Sequence, residues 1–181
     1  GEHWRDIGPA GDLQTDRCWS IFEDKKGHIW FGSLQSGVTR FDGHNWTFFT
    51  SDDGLANNSV ISGFQDRQGG YWFGSDLSES VPTARGLSRF DGELWSKLTT
   101  DDGLAHNRVK WISQDSQNRF WFGTAGGVSV YDLENWQNYS TEDGLPGDWV
   151  ETILHDREGG VWVTTDRGLA HFDGIEWTGY T

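Results

Sequence analysis

Side chains able to do chemistry are abundant in this chain, but few are grouped by spacing. It holds 28 Asp and Glu, 14 Lys and Arg, six His, one Cys and no Met in 181 residues. The acids recur as Asp52-Asp53, Asp101-Asp102 and Glu142-Asp143, each followed by Gly-Leu. Such runs invite a Ca²⁺ reading, yet a hard cation takes about six to eight oxygens from one converging loop. Asp-Asp-Gly-Leu lacks that alternation, and the spacing favours a turn closed by Asp on backbone amides. The His residues show no H-x-x-x-H or His/Cys pairing, so neither a metal site nor a cofactor is expected. There is no G-x-S-x-G, P-loop or dinucleotide fingerprint. Carboxylates for glycoside cleavage are plentiful, but no pair stands out. For a rim His and Glu working as acid and base, His106 with Glu151 is the least poor candidate pair. Cys18 is alone and cannot form an intrachain disulfide; it reads as a small buried hydrophobe.

The formal charge of −14 argues against nucleic acid, whose phosphates demand basic surface, and against anionic membrane surfaces. No apolar run reaches the length of a membrane span, so no membrane insertion is expected. No signal peptide is visible. A chain that starts at Gly1 without any Met reads as a processed product or a piece of something longer. Only 34% of residues are hydrophobic, while 15% are aromatic and 25 are Gly. Many short strands joined by tight turns give that combination.

A repeat organises these residues. EDKKGHIWFGS (23–33), QDRQGGYWFGS (65–75), QDSQNRFWFGT (114–124) and HDREGGVWVTT (155–165) align, with Trp30, Trp72, Trp121 and Trp162 spaced by 42, 49 and 41. Each is followed by a second segment, FDGHNWTFFT (41–50), FDGELWSKLT (90–99), YDLENWQNYS (131–140) or FDGIEWTGYT (172–181), carrying Trp46, Trp95, Trp136 or Trp177. One unit reads as four strands. Strand a is a stretch such as 60–64, a polar D-x-x-G turn leads into strand b (W-F-G-S/T), and a Gly-bearing loop enters strand c. Asp-Gly then turns c into d, and the D-G-L segment crosses to the next strand a.

A period of 41–49 residues built from four antiparallel strands is that of a β-propeller blade. A sheet with both faces apolar must pack against neighbouring blades. The eight recurring Trp are therefore assigned to the structural core. The predicted fold is an all-β propeller domain over 1–181, with four complete blades at about 13–51, 55–100, 104–141 and 145–181. The segment 1–8 resembles a spare d strand.

The pattern resembles the two-component regulator propeller repeat. The residues that carry the resemblance are Asn58-Ser59-Val60, Asp66, Gly69, Trp72-Phe73-Gly74, Gly86-Leu87-Ser88-Arg89-Phe90-Asp91-Gly92 and Asp102-Gly103-Leu104, with Asn107-Arg108-Val109, Asp115 and Trp121-Phe122-Gly123-Thr124. Departures are Asp132-Leu133 for Asp-Gly, Thr164 for the strand-b Gly, and Gly11-Asp12-Leu13 for Asp-Gly-Leu. The resemblance implies a periplasmic or extracellular sensor propeller that binds glycan fragments or other small ligands, with no general catalytic motif.

Subtracting the repeat leaves residues the scaffold does not require. At the start of strand a the units differ: Arg17 and Trp19, Ser59 and Ile61, Arg108 and Lys110, Trp149 and Glu151. His106 and Asp148 lie in the same crossovers. Cations, acids and indoles at one channel mouth suit a polar small molecule, a sugar or a carboxylate above all. The second b–c loop carries about seven extra residues, including Asp76, Glu79 and Arg85. It reads either as a recognition loop or as a tolerated insertion. Ring closure has three solutions: a segment of a seven- or eight-bladed propeller, self-association of two copies, or a small ring with 1–7 as an extra edge. Three functions follow: a ligand-binding sensor, an assembly module joined through blade edges, or an enzyme such as a propeller lyase.

Overall fold

The computed structural model describes residues 17–75 and 86–181; the spare strand 1–8 and the Asp76–Arg85 insertion lie outside them. The described residues form four antiparallel four-stranded sheets, each in chain order. The first is β1 (Cys18–Glu23), β2 (Ile29–Ser33), β3 (Val38–Phe41) and β4 (Trp46–Phe49). The second is β5 (Val60–Gln65), β6 (Tyr71–Ser75), β7 (Leu87–Phe90) and β8 (Trp95–Leu98). The third is β9 (Val109–Gln114), β10 (Phe120–Thr124), β11 (Gly127–Tyr131) and β12 (Trp136–Tyr139). The fourth is β13 (Val150–His155), β14 (Val161–Thr165), β15 (Gly168–Phe172) and β16 (Trp177–Tyr180). The sheets pack in sequence through their first strands, β1 on β5, β5 on β9 and β9 on β13. This is the blade architecture expected from the repeat. Among the described residues, no helix is long and apolar enough to cross a membrane.

Aromatic side chains fill the space between sheets. Trp30, Trp72 and Trp121 are fully buried, each covered by the blade that follows. Trp30 meets Tyr71 at 4.5 Å and Phe73 at 5.7 Å between ring centroids, and Trp72 meets Phe120 at 4.4 Å. A second fit lies alongside. A side chain built on the strand-b glycine of one blade would run into the first strand-a valine of the next, Gly32 into Val60, Gly74 into Val109 and Gly123 into Val150. Only a residue without Cβ lets the sheets approach this closely.

The recurring Asp is tied to the recurring Trp six residues later. Asp24, Asp66 and Asp115 each accept the indole N–H of Trp30, Trp72 and Trp121 at 2.9 Å. The other carboxylate oxygen accepts backbone amides of the a–b turn, as Asp24 does from Lys26 and His28. Burial opposes the ionisation of Asp24, yet hydrogen bonds from Trp30, His28, Tyr71 and Lys26 outweigh it and hold its carboxyl at about 2. Burial and the Asp24 carboxylate push the Tyr71 hydroxyl up to about 12. A depressed carboxyl stabilises the fold above its ordinary value of 3.8 and loses that contribution as pH falls toward about 2. Asp24→Asn should therefore flatten the fall of stability across that acid window, measured by urea unfolding at stepped pH. Equal slopes for the variant and the parent would contradict this role.

The crossovers are single 3₁₀ turns, Ser51–Asp53, Thr100–Asp102 and Thr141–Asp143. Each is held by a capping box, Thr50 with Asp53, Thr99 with Asp102 and Ser140 with Asp143, and ends at a glycine with φ of 111–115°. The second acid of each pair is thus a cap, as expected of a turn. The c–d turns place Gly43, Gly92 and Gly174 at positive φ, and Leu133 holds the same place at φ 80°. The repeat imposes the conformation even where the residue is unsuited to it, at about 1–2 kcal/mol.

Three sequence expectations need correction. Cys18 is exposed, not buried. Its counterparts Val60, Val109 and Val150 bury against the glycine of a preceding blade, and among the described residues no blade precedes Cys18. Trp162 is only half-buried because no described sheet follows the fourth, so it lies against His171 and Tyr180 instead. Trp46, Trp95 and Trp136 are half-buried too, since the outermost strand has a solvent-facing edge; Trp177 alone of the d-strand set is buried. The two end faces expose large apolar side chains, Ile21 on the first blade at 67% and Leu154 on the fourth at 65%.

Candidate functional site

Strand a of every blade opens with a β-bulge. Pairing with strand b skips Trp19, Ile61, Lys110 and Glu151, between Cys18 and Ser20, Val60 and Ser62, Val109 and Trp111, and Val150 and Thr152. A bulge leaves its extra residue unpaired and re-aims the side chain. The four bulge residues differ in chemistry from unit to unit: an indole, an aliphatic chain, a cation and an acid. The residue before each strand, Arg17, Arg108 or Trp149, is fixed by its carbonyl, which accepts an amide of the following b–c loop: Leu34, Ala125 and Asp166.

Two neighbouring bulges build one cluster. Lys110 of β9 and Glu151 of β13 form an ion pair through their side chains. The Arg108 guanidinium stands over the Trp149 indole at 4.3 Å, and the Lys110 ammonium lies 5.4 Å from the same ring. Cation–π contacts of this kind are worth about 0.5–2 kcal/mol each. The Lys110 hydrogen bond, against a smaller opposing effect of burial, holds the Glu151 carboxyl below its usual range. All four residues are partly exposed. The cluster gathers two cations, one anion and an indole, with Lys110 and Trp149 both directed to the Glu151 carboxylate. It is suited to oxygen-rich molecules, whose hydroxyls and carboxylates take charge-assisted bonds while their apolar faces stack.

The remaining sequence-nominated residues fall elsewhere. His106 accepts the Arg108 amide on Nδ1 at 3.0 Å and packs its Cβ over Gly126, so it borders the cluster and shapes the chain entering β9. Asp148 belongs to the scaffold: it accepts the Thr141 amide at 2.7 Å, the bond that Asn58 and Asn107 make to Ser51 and Thr100. That equivalence was available in the spacing but hidden by the change from Asn to Asp. Arg17 precedes β1 and Trp19 stands on it, two blades before β9, and the structure does not bring them to the cluster. Trp19 is 64% exposed. Asp76, Glu79 and Arg85 lie outside the described residues. Glu151, ionised and paired, is poorly suited to donate a proton, which weakens its pairing with His106 as an acid–base couple.

Comparison with known proteins bears on the fold and the repeat. The family model described as two component regulator propeller matches residues 12–35, 103–126 and 144–167. No curated protein matches the chain. Among solved structures, the extracellular domain of a hybrid two-component system from B. thetaiotaomicron superposes with a TM-score of 0.78 at 22% identity, over 90% of this chain and 23% of that one. The extracellular domain of a one-component system from the same organism gives 0.76 at 23% identity, over 93% and 26%. Virginiamycin B lyase from Staphylococcus aureus gives 0.67 at 13% identity, over 91% and 55%. The chain thus spans about a quarter of each B. thetaiotaomicron domain, and at these identities the likeness is one of fold. Three of the four repeats thus match that family model, and the four blades seen in the structure give this chain the fold of a β-propeller arc.

Proposed function

We propose that the chain is part of a non-catalytic sensor propeller, working in the periplasm or outside the cell, that binds a polar small molecule or glycan at one rim. The observation that carries this reading is the Arg108–Trp149 and Lys110–Glu151 cluster, placed by two adjacent bulges at positions the blade scaffold leaves free. The likeness to extracellular domains of regulatory systems supports it. So does the repeat, which ties its recurring acids to turns and indoles. Isothermal titration against a panel of neutral and uronic-acid-bearing oligosaccharides tests the reading. Trp149→Ala and Lys110→Gln should each weaken binding about tenfold or more with little change in melting temperature. A panel with no binder, or variants that bind as the parent does, would refute it.

A second reading concerns assembly, and the bare apolar end faces favour it. Exposed faces of this kind mark interaction surfaces. Either the remainder of a longer ring or a second copy covers Ile21 on one side and Leu154, Leu169 and Tyr180 on the other.

A further inference from the structure

The rim opposite the bulges carries the a–b and c–d turns, and the three crevices between successive blades there are equivalent by the repeat. They do not carry equivalent side chains. The first encloses about 350 Å³ and is lined by Lys25, Lys26, His28, Arg40, Gln68 and Tyr71, among others. In the second crevice the places of Lys26, His28 and Tyr71 are taken by Gln68, Gly70 and Phe120. In the third, Lys25, Lys26 and Arg40 become Ser116, Gln117 and Val130. At the positions of Lys25, Lys26, His28 and Arg40 the first, among the described blades, has four basic residues, the second two (Arg67 and Arg89) and the third one (Arg119), in a chain whose net charge is −14.

Structural duties account for only part of this basic group. The Lys25 ammonium donates to the carbonyls of Asp66 and Arg67 at 3.2 and 2.7 Å and braces the next blade's turn. His28 uses Nδ1 on Asp24 at 3.0 Å, which leaves Nε2 for another partner. Arg40 lies over Trp30 and Phe49 at 5.6 and 5.9 Å and, among the described residues, gives one hydrogen bond, to Thr47 at 3.2 Å. Lys26 is exposed, and among the described residues only its backbone amide is engaged, by Asp24. Two carboxylates stand against these four basic groups. Asp24 is buried, paired with His28 Nδ1 and accepts from Trp30 and Tyr71. Asp91 lines the crevice and takes the amides of Glu93 and Leu94, so the basic groups outnumber the acids.

We infer that this crevice is a second binding site, for a small molecule bearing an oxyanion group, which Lys26, His28 Nε2 and Arg40 hold above a floor of Tyr71 and Phe90. Its volume falls within the roughly 300–1,000 Å³ of small-molecule sites, and multiple cationic donors are the chemistry that carboxylate, sulfate and phosphate share. It lies one strand length from the bulges, about 20 Å along six residues, and does not depend on the reading given to Lys110 and Trp149.

The test titrates the chain with acetate, glucuronate, inorganic sulfate and inorganic phosphate against chloride at equal ionic strength. It follows the imidazole proton resonances of His28 and the melting temperature. A saturable response to at least one of the four is expected, and the one that saturates identifies the class of oxyanion. Lys26→Gln and Arg40→Gln should each weaken that response about tenfold, and Lys110→Gln on the other rim should leave it unchanged. Lys26 sits on an exposed turn, so its variant carries the test if Arg40→Gln fails to fold. No saturation with any of the four overturns the site. A response that both variants share with the parent also overturns it, since exclusion of salts from the surface raises stability without a site.

Discussion

Gly74→Thr should lower stability by about 3 kcal/mol, at the upper end of overpacking penalties, whereas the inverse change Thr164→Gly should cost no more than about 1 kcal/mol. The two positions are equivalent by the repeat and opposite in surroundings. A Cβ at Gly74 would run into Ser62 Oγ on its own strand pair and into the Val109 carbonyl oxygen and side chain of the next blade. Backbone cannot withdraw as a flexible side chain can, so the second and third sheets must separate. At Thr164 no described blade follows; the side chain is exposed and its hydroxyl bonds Thr152 at 2.8 Å. Urea unfolding followed by intrinsic fluorescence measures both. Similar losses at the two positions would mean that the glycine serves strand geometry alone and not the contact between blades.

Trp72→Ala is expected to cost about 3–5 kcal/mol, a large share of the roughly 5–15 kcal/mol that holds a domain together. Trp72 has no exposed surface. It packs on Phe120 and Phe122 of the third blade and carries Arg89 over its ring at 5.3 Å. It also supplies the N–H that Asp66 accepts at 2.9 Å. Trp72→Phe separates these contributions, because it keeps an aromatic ring and withdraws the donor from a buried carboxylate, for about 1–3 kcal/mol. The same substitution at Trp162 should cost much less. Its indole is half-buried, and Asp156 bonds His171 at 3.2 Å in place of an indole.

These contrasts show what the sequence could and could not convey. Strand order and the burial of Trp30, Trp72 and Trp121 were legible because the same residues recur in the same register, and a sheet apolar on both faces has few ways to be covered. The end blades were not legible in that way. Cys18 and Trp162 occupy recurring places, but their burial depends on a neighbour and not on their own unit. Bulges leave no residue signature, so Trp19, Ile61, Lys110 and Glu151 were visible as variable positions without the reason they point away from the ladder. The Asp–Trp bond was present as a constant separation of six residues and read only as a turn. Asp148 was mistaken for a free acid because its scaffold role is shared with Asn58 and Asn107, a different residue type. The Lys110–Glu151 pair could be nominated from register, whereas its stacking partner emerged only when Trp149 was found beneath Arg108.

The division of labour between recurring and irregular residues can be read in one experiment, a titration of the indole N–H resonances of all 12 Trp with an oligosaccharide that binds. The account predicts that the Trp149 signal moves, while those of Trp30, Trp72 and Trp121, locked onto Asp24, Asp66 and Asp115, stay in place and exchange slowest with solvent. Ligand-induced shifts in those three buried indoles with Trp149 unmoved would contradict it.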